Sequence, residues 1–279
     1  MPVADSSPRG RRALITGASS GIGAAFAHRL GHEGCDLVLV ARRRDRLEAL
    51  AHQIEHAAGV SVEVLAADLA QPHDLELVEE RVKGDPALEM LVNNAGFAVN
   101  SRFQRTDRAL LEAMIQLHVV AVMRLTGASL PRMLARDRGT IINVSSTSAF
   151  LADPGSIFNT YAATKAFVIA LTVGLQEDIR GTGVRLQALC PAWTRTEILD
   201  AAGRPWDIPE EYTMMPDQVV EASLAGLSLG ELVCCPSLHD VGLLTQLDQL
   251  KDTIFRSTNT TGTLAPRYAG PPGEADTTR

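Results

Sequence analysis

The clearest chemical signal in this sequence is a tyrosine followed four residues later by a lysine. Tyr161 and Lys165 lie in a stretch with helical periodicity, so their spacing places both side chains on one helix face. A free phenol has a pKa of about 10 and is a poor base at neutral pH, but a nearby ammonium group favours the phenolate. We therefore expect Lys165 to help lower the pKa of Tyr161 to about 7, so that Tyr161 can pass a proton to or from a substrate oxygen.

A second signal is a glycine-rich run directly after the first predicted strand. Residues 16–23 read TGASSGIG and open a helical segment. Glycines here allow a sharp turn and a close approach to a pyrophosphate, which the positive end of the helix attracts. The spacing is Gly-x3-Gly-x-Gly, and its strand–turn–helix context predicts a dinucleotide site rather than a turn without a ligand. The predicted cofactor contacts in this turn are Gly17, Ser19, Ser20, Gly21, Ile22 and Gly23.

The end of the second predicted strand indicates which dinucleotide is bound. An acidic residue about 20 positions beyond the glycines holds the ribose 2′-hydroxyl in NAD-binding folds, and Ala41 stands near that place. Arg42 follows, and its guanidinium suits a 2′-phosphate, which favours NADP(H) while NAD(H) stays possible. We predict that Arg43 and Arg44 face solvent or give partial support. The alternative is that residues 42–46 are only the solvated start of a helix.

The motifs must be positioned by secondary structure. Strand-like and helix-like segments alternate along the chain. The predicted strands span residues 12–16, 36–41, 60–66, 90–93, 140–145, 184–190 and 231–235, and the predicted helices span 21–33, 44–57, 72–83, 107–134 and 159–179. Several strands are continuous apolar runs, which is typical of a parallel sheet covered on both faces. The alternation predicts an α/β fold, a doubly wound parallel sheet of about seven strands with helices on both faces.

The predicted domain organisation is a single catalytic domain over residues 11–256. Residues 1–10 are expected to be a flexible N-terminus, and residues 257–279, rich in Thr, Pro and Gly, a flexible tail. Residues 194–230 interrupt the alternation, and excursions of this length in a compact domain are usually functional. We interpret 194–230 as a lid over the substrate.

Composition excludes several classes of protein. Of 279 residues 46% are hydrophobic, which excludes a disordered chain, and the net charge of -7 argues against a nucleic-acid binder. We find no apolar run near the about 18–20 residues that cross a bilayer, so no membrane partner is expected. The cysteines form no CxxC pair, and the histidine pairs at i,i+4 lack a third ligand, so no metal is predicted and a reducing cytoplasm is favoured. Adjacent Cys234 and Cys235 should point to opposite faces of a strand.

The motifs together carry a resemblance. In chain order they are residues 16–23, Asp68, residues 93–96 (NNAG), Ser145-Ser146, Tyr161 with Lys165, and Pro191. This ordered set, over roughly residues 10–255, resembles the short-chain dehydrogenase/reductase family. The resemblance implies a Rossmann-type subunit, hydride transfer to or from a nicotinamide, and self-association as a homodimer or homotetramer. An oxidised nicotinamide would add to the effect of the lysine on the phenol.

The resemblance also implies roles for individual residues. Tyr161 is the general acid/base, Lys165 lowers its pKa and binds the nicotinamide ribose, and Ser146 holds the substrate oxygen. Further residues that match the cofactor groove of the family are Asp68, Leu69, Asn94, Ala95, Gly96, Pro191, Thr194 and Thr196.

The sequence departs from the family pattern at three places. The catalytic Asn of the long helix is replaced in the segment Leu117-His118-Val119, so His118 could hold the water that the Asn supports, could titrate near its ordinary pKa of about 6.5, or could simply fill the core. The usual Pro-Gly after the sixth strand is Pro191-Ala192. Ser146 precedes Tyr161 by two residues more than is common. We assign the catalytic role to Ser146, because it ends the strand motif, and a substrate contact to Ser148.

The expected activity is hydride transfer between NADP(H) and a ketone, an aldehyde or a secondary alcohol. Large side chains in and next to the predicted lid, Trp193, Trp206, Tyr212, Met214 and Met215, favour a mainly apolar small molecule. Two alternatives stay open: an NADP-binding regulator or scaffold without turnover, and a reductase of a carrier-linked or CoA-linked acyl chain. Apolar residues on helices 107–134 and 159–179, among them Val122 and Ile169, are candidates for a dimer interface.

Overall fold

A single parallel sheet organises the part of the chain that the computed structural model describes, residues 11–99, 101–151, 158–198 and 207–268. The strands are β1 (Arg12–Thr16), β2 (Asp36–Ala41), β3 (Val62–Ala66), β4 (Leu88–Asn93), β5 (Gly139–Val144), β6 (Val184–Leu189) and β7 (Val233–Cys234). Their order is β3-β2-β1-β4-β5-β6-β7, with every pair parallel. The order reverses between β1 and β4, where doubly wound sheets open a ligand crevice. The predicted fold class is confirmed, and all seven predicted strands are present.

Helices cover both faces of the sheet. Up to Ser237, the helices of the same part of the chain are α1 (Gly21–His32), α2 (Arg44–Ala58), α3 (Pro72–Lys83), α4 (Arg108–Ile115), α5 (Val122–Ala135), α6 (Asn159–Gly174) and α7 (Pro216–Leu229). Alternate residues of β1 serve the two faces, because Ile15 lies in the cluster that contains side chains of α1, α2 and α7, while Leu14 lies in the cluster that contains side chains of α3 and α5. This alternation explains why β1 is continuously apolar.

The predicted lid is in part a core helix. Residues 216–229 of that segment form α7, whose Val219 and Val220 are buried in the cluster beside α1. Pro216 at its first turn and Gly230 in the left-handed conformation (φ 79°) mark the two ends of α7. The apolar side chains at helical spacing are therefore packing residues. Residues 199–206, including Trp206, lie outside the described residues.

A π-helical segment, Gln116–Ala121, joins α4 and α5 into one long helical stretch. By length and composition alone, the helical stretch 108–135 could cross a membrane, because it contains an 18-residue window with a mean hydropathy of 1.5. The sequence expectation that no run reaches this length was therefore wrong. Leu125 and Met133 of the stretch are buried against the sheet, and core helices of soluble proteins meet the same criterion. It is weak evidence for a membrane span.

The described chain divides after Ser237. The described residues up to Ser237 form one compact unit, and those from Leu238 to Tyr268 form a second, which contains α8 (Gly242–Asn259). Helix α8 was not predicted, and it continues to Asn259, past the point where the tail was expected to begin. Helix α6 ends at Gly174 rather than near 179. The boundary of the catalytic domain at residue 256 stays a prediction.

Candidate active site

The glycine-rich turn has the backbone geometry that its sequence predicts. Gly17 (φ 68°) and Gly21 (φ 56°) have left-handed backbone conformations, which residues other than glycine rarely adopt. A Cβ on Gly23 would lie 2.4 Å from the carbonyl oxygen of Gly17, so only glycine fits where α1 meets the turn. The side chain of Ser20 makes no capping bond to α1. The turn therefore presents the N-terminus of α1 at the carboxyl end of β1.

The residues after β4 hold this turn from behind. The Thr16 hydroxyl donates to the Val92 carbonyl (3.3 Å) and accepts from the backbone N–H groups of Asn94 (2.9 Å) and Ala95 (3.0 Å). The side-chain amide of Asn94 donates to the carbonyl oxygens of Thr16 (3.0 Å) and Gly17 (3.4 Å). Asn94 and Ala95, predicted as cofactor contacts, thus also fix the shape of the turn.

Arg43, which the sequence analysis left largely to solvent, is the arginine that contacts the turn. Its guanidinium donates to the hydroxyls of Ser19 (3.2 and 2.9 Å) and Ser20 (2.9 Å). It also pairs with Glu197 at 2.8 Å. Arg42, predicted as the phosphate ligand, is exposed and makes no such contact with the turn. The two residues differ in direction. Arg43, directly before α2, points back toward the turn at the start of α1, and Arg42, directly after β2, does not.

Other predicted cofactor residues lie around the same edge of the sheet. Thr196 approaches the turn, since a Cβ on Gly21 would lie 2.9 Å from its methyl group. Thr194 is buried and donates to the carbonyl of Ala192 (3.0 Å). Asp68, after β3, caps the backbone N–H of Ala70 at 3.1 Å. The side chain of Leu69 is buried in the core, so only its backbone can face a ligand.

Tyr161 lies in the first turn of α6 and faces Ser146, which follows β5. Burial raises the pKa of Tyr161 to about 12, and a hydrogen bond with Ser146 acts in the opposite direction. Among the protein's own groups, desolvation of the phenolate is the larger effect, and the lowering to about 7 that Lys165 and an oxidised nicotinamide together would produce stays a prediction. The Ser146 hydroxyl also accepts from the backbone N–H of Ser148 (3.1 Å). The predicted choice of Ser146 over Ser148 agrees with this geometry.

Lys165 lies one turn further along α6, with its ammonium nitrogen 5.6 Å from the ring centre of Tyr161. The side chain is buried, and the ammonium donates to the carbonyl of Val144 at 2.9 Å. Burial lowers the pKa of Lys165 to about 8. The hydroxyl of Ser145 donates to the backbone carbonyl of Lys165 (2.7 Å), which ties α6 to the end of β5. The i,i+4 pair therefore shares one face, as the spacing predicts.

His118 matches one of its three predicted roles, that of a buried core residue, and neither of the other two. Its Nε2 accepts from the backbone N–H of Phe97 (3.1 Å), so Nδ1 carries the proton and donates to the Thr164 hydroxyl (2.9 Å). Both nitrogens have protein partners, which leaves none for a bound water. Burial, with a smaller effect of the Lys165 charge, holds the pKa of His118 well below its usual range, so titration near 6.5 is also wrong.

The position of His118 is nevertheless informative. Its ring contacts the Tyr161 ring edge-on at 5.6 Å between centres, and the Thr164 hydroxyl donates to the Tyr161 carbonyl at 2.8 Å. A Cβ on Gly96 would lie 2.9 Å from Nε2, so the small residue of the NNAG motif makes room for the imidazole. The π-helical segment places His118 in this contact, and such segments are frequent at functional sites.

A buried polar network behind the site was missed by the sequence analysis. Asn93 donates to Asn143 (2.9 Å), and Asn143 donates to Thr172 of α6 (3.0 Å). Thr126 of α5 joins the same network through Asn143 at 3.3 Å. The network connects β4, β5 and the helices that carry His118 and Tyr161. The available signal was a pair of asparagines at or next to the last residue of apolar strands, where an unpaired polar group would be costly.

A small concavity that is open to solvent lies beside Tyr161. Its lining residues are Val99, Ser101, Thr106, Leu111, Met114, Asn159, Thr160 and Tyr161. The predicted substrate residues Trp193 and Tyr212 do not line it and are largely exposed, at 40% and 65%. The apolar walls come instead from α4. Trp206 lies outside the described residues.

The glycine turn at the switch point and the buried Tyr–Lys pair define a class, the oxidoreductases that act on alcohol and ketone groups with a nicotinamide dinucleotide. The family model for short chain dehydrogenases matches residues 11–205. The chain belongs to the short-chain dehydrogenase family. The resemblance stated from the motifs is thus confirmed.

Individual relatives support the same placement. Human 17-beta-hydroxysteroid dehydrogenase type 3 is 31% identical over 235 residues, 83% of this chain and 73% of that protein. A short-chain dehydrogenase from Sphingobium yanoikuyae, solved in complex with NADPH, is 41% identical with a TM-score of 0.87, over 92% of this chain and all (100%) of that one. The bulky-bulky ketone specific alcohol dehydrogenase from Comamonas testosteroni is 35% identical with a TM-score of 0.84, over 93% of this chain and 98% of that one.

Proposed function

We propose that the chain is an NADP(H)-dependent carbonyl reductase or alcohol dehydrogenase for apolar ketones and secondary alcohols, with Tyr161 as its proton donor. The observation that carries the proposal is the Ser146–Tyr161–Lys165 group at the edge of the sheet that also holds the glycine-rich turn. The relative solved with NADPH supports the choice of NADP(H). Arg43, hydrogen-bonded to both serines of the turn, supplies positive charge where a 2′-phosphate would lie.

The residues present fit a dinucleotide. A Cβ at Gly17, Gly21 or Gly23 would collide with neighbouring groups, so the turn keeps its backbone bare beside the N-terminus of α1. The turn and Arg43 would hold the phosphates, and Lys165 would hold the nicotinamide ribose. When bound, the nicotinamide supplies or accepts the hydride.

The chain's own part in catalysis is the handling of the proton. With a pKa raised to about 12, Tyr161 is a neutral phenol at physiological pH and is poised to donate to a developing alkoxide. Ser146 is placed to donate to the same oxygen, as an electrostatic stabiliser. The ammonium of Lys165 faces the phenol ring and stabilises the phenolate that forms on proton transfer. In the oxidative direction the same groups take the proton back.

The concavity beside Tyr161 has apolar side chains along part of its wall, where an apolar substituent of a substrate would lie. Val99, Leu111 and Met114 contribute apolar walls, and the described residues of this concavity include no charged side chain. One relative acts on bulky-bulky ketones and another is a hydroxysteroid dehydrogenase by name, and both names fit a lipophilic carbonyl.

The test is NADPH oxidation with a panel of lipophilic ketones, comparing wild type with Tyr161→Phe. Loss of the proton donor should lower kcat by roughly 10²–10⁴-fold while NADPH binding is kept. The matched control is Tyr268→Phe, because Tyr268 is an exposed tyrosine in the second unit. Equal rates for wild type and Tyr161→Phe would remove Tyr161 from the mechanism. NADPH binding without turnover on any ketone or alcohol would favour the regulator or scaffold alternative.

We also propose that the chain forms a homodimer or homotetramer in the cytoplasm. Val122 and Ile169, predicted for the interface, are buried within the subunit, whereas Ile115, Met123 and Val173 of the same helices are exposed. Exposed apolar side chains on neighbouring helices support a contact with a second copy. The four cysteines are free thiols, which supports a reducing compartment. A monomeric mass by light scattering would contradict the self-association.

A further inference from the structure

Two cysteines on neighbouring strands are brought side by side by the register of β6 and β7. Ala188 pairs with Val233, and its N–H donates to the carbonyl of Leu232 (2.8 Å), the residue before its partner. The N–H of Cys190 donates to the carbonyl of Cys234 (2.7 Å) in the same pattern, so Cys190 lies opposite Cys235.

The two thiols also share a face of the sheet. Cys190 belongs to the small cluster with Ile169 and Ala188, and Cys235 packs against that cluster. Cys234 points to the other face, into the cluster beside α1 and α7. The predicted opposite orientation of Cys234 and Cys235 is therefore confirmed. Cys190 is fully buried, whereas Cys235 is partly exposed and can meet a solute.

The separation of such a pair suits a disulfide. Neighbouring strands lie about 4.8 Å apart, which is inside the range of about 4.4–6.8 Å between the Cα atoms of disulfide-bonded cysteines. The thiols interact directly, since a hydrogen bond with Cys235 is the main cause that raises the pKa of Cys190, and the same bond lowers the pKa of Cys235. Of the two, Cys235 is the more accessible thiol and therefore the one that an oxidant in solution reaches first.

We propose that Cys190 and Cys235 form a reversible oxidation site, in which hydrogen peroxide converts the two thiols into one disulfide. The Cys235 thiolate attacks one peroxide oxygen, the O–O bond breaks, and hydroxide leaves and takes up the thiol proton as water. The Cys190 sulfur then attacks the sulfenic acid of Cys235, the S–S bond forms, the S–O bond breaks, and a second water leaves with the Cys190 proton. Two electrons pass from the thiols to the peroxide, and a dithiol reductant reverses the change.

This site adjoins the catalytic groups. Cys190 interacts with the hydroxyl of Ser145, which is itself bonded to the Lys165 carbonyl, and the charge of its thiolate would act on the Lys165 ammonium. Pro191 follows directly, and its carbonyl accepts from the N–H of Thr147 at 3.0 Å. Drawing the Cys190 sulfur toward β7 therefore disturbs the segment between β6 and the predicted nicotinamide site.

The test exposes the full chain to hydrogen peroxide, blocks remaining thiols and maps peptides without reduction. Trypsin releases Cys190 in peptide 186–195, and this peptide should become linked to the peptide that carries both Cys234 and Cys235. The matched variants are Cys235→Ser, which should abolish the link, and Cys234→Ser, which should retain it. Dithiothreitol should dissolve the link. Fragmentation of the wild-type linked peptide identifies the partner directly, so the result does not depend on how the variants fold.

Activity provides a second readout that is separate from the link itself. Peroxide-treated wild type is expected to lose activity several-fold and to regain it with dithiothreitol, while Cys235→Ser keeps its activity under the same treatment. A link to Cys234, or oxidation of Cys235 to its sulfinic acid with no link, would overturn the proposal. Equal inactivation of wild type and Cys235→Ser by peroxide would overturn the proposed effect of the disulfide on catalysis. This outcome is independent of whether the proposed reduction of ketones is correct.

Discussion

The Nη2 atom of Arg43 lies 2.9 Å from the hydroxyl oxygen of Ser19, across the gap between the start of α2 and the glycine-rich turn. The same guanidinium pairs with Glu197, and Arg46 pairs with Glu197 at 2.6 Å. These two arginines hold the pKa of Glu197 below its usual range. The segment after β6 is thereby joined to α2 beside the turn.

Arg43 should therefore determine cofactor preference more than Arg42. A hydrogen bond to a charged group contributes about 1.5–3 kcal/mol, so Arg43→Ala should weaken NADPH binding roughly ten- to a hundredfold. NADH, without the 2′-phosphate, should be affected much less. Arg42→Ala is the matched control, because Arg42 is the exposed neighbour. The check is the dissociation constant of both cofactors by fluorescence titration. A larger NADPH loss in Arg42→Ala would restore the original assignment.

Ionisation of Tyr161 gives a second prediction. Because burial raises its pKa to about 12, the phenol should stay protonated until strongly alkaline pH in the protein without cofactor. Wild type and Tyr161→Phe should then show the same rise in tyrosinate absorbance up to about pH 11. A smaller rise in Tyr161→Phe near neutral pH would mean that Lys165 lowers the phenol pKa as the sequence suggested.

The contrast between Arg42 and Arg43 shows where sequence reasoning reaches its limit. Strands β1 and β2 begin and end at the predicted residues, because continuous apolar runs are flanked there by glycine, arginine and aspartate. The order of motifs along the chain also predicted that Ser146, which follows β5, lies beside Tyr161 and Lys165 of α6. Side-chain direction at the start of α2 depends on contacts with Ser19 and Glu197, distant in the chain, and no local pattern encodes those contacts.

His118 illustrates the same limit inside the core. Its type suggested a titrating or water-binding group, but its partners Phe97 and Thr164 are 21 and 46 residues away. Only the fold brings these groups to the imidazole. Its burial then reverses the expectation about its charge.

We predict that His118 positions the Tyr161 segment without titrating. His118→Ala leaves the N–H of Phe97 and the hydroxyl of Thr164 without their partner, and each such loss costs about 1–3 kcal/mol, so the Tm should fall by several degrees. The shape of the kcat/KM profile between about pH 5.5 and 7 should be the same in both proteins, since His118 stays neutral there. His52→Ala, an exposed histidine of α2, is the control. An ionisation that disappears with His118 would contradict this role.

Lys165 should make stability depend on pH. Its pKa is about 8 in the folded protein against an ordinary value of 10.5, so between these values the unfolded chain binds more protons. The free energy of unfolding contributed by Lys165 therefore rises with pH across that window, by roughly 3 kcal/mol in total. Urea unfolding of wild type and Lys165→Met at several pH values measures the difference. The variant should lose this rise together with catalysis, and parallel curves would refute the buried ammonium.

Met114 should set the size of the substrate. It lines the concavity beside Tyr161, so Met114→Ala enlarges the space that faces a bound ketone. Differences of a methylene or more in an apolar pocket change selectivity by about 1–3 kcal/mol, so we expect kcat/KM for benzophenone relative to acetophenone to rise by roughly tenfold or more. Met133→Ala is the matched control: Met133 is equally buried but packs against Gly139 at the far end of α5. Both variants lose a buried methionine, so both should lose stability. Only Met114→Ala should also change the preference between the two ketones. If the two variants shift the ratio alike, the concavity is not the substrate site.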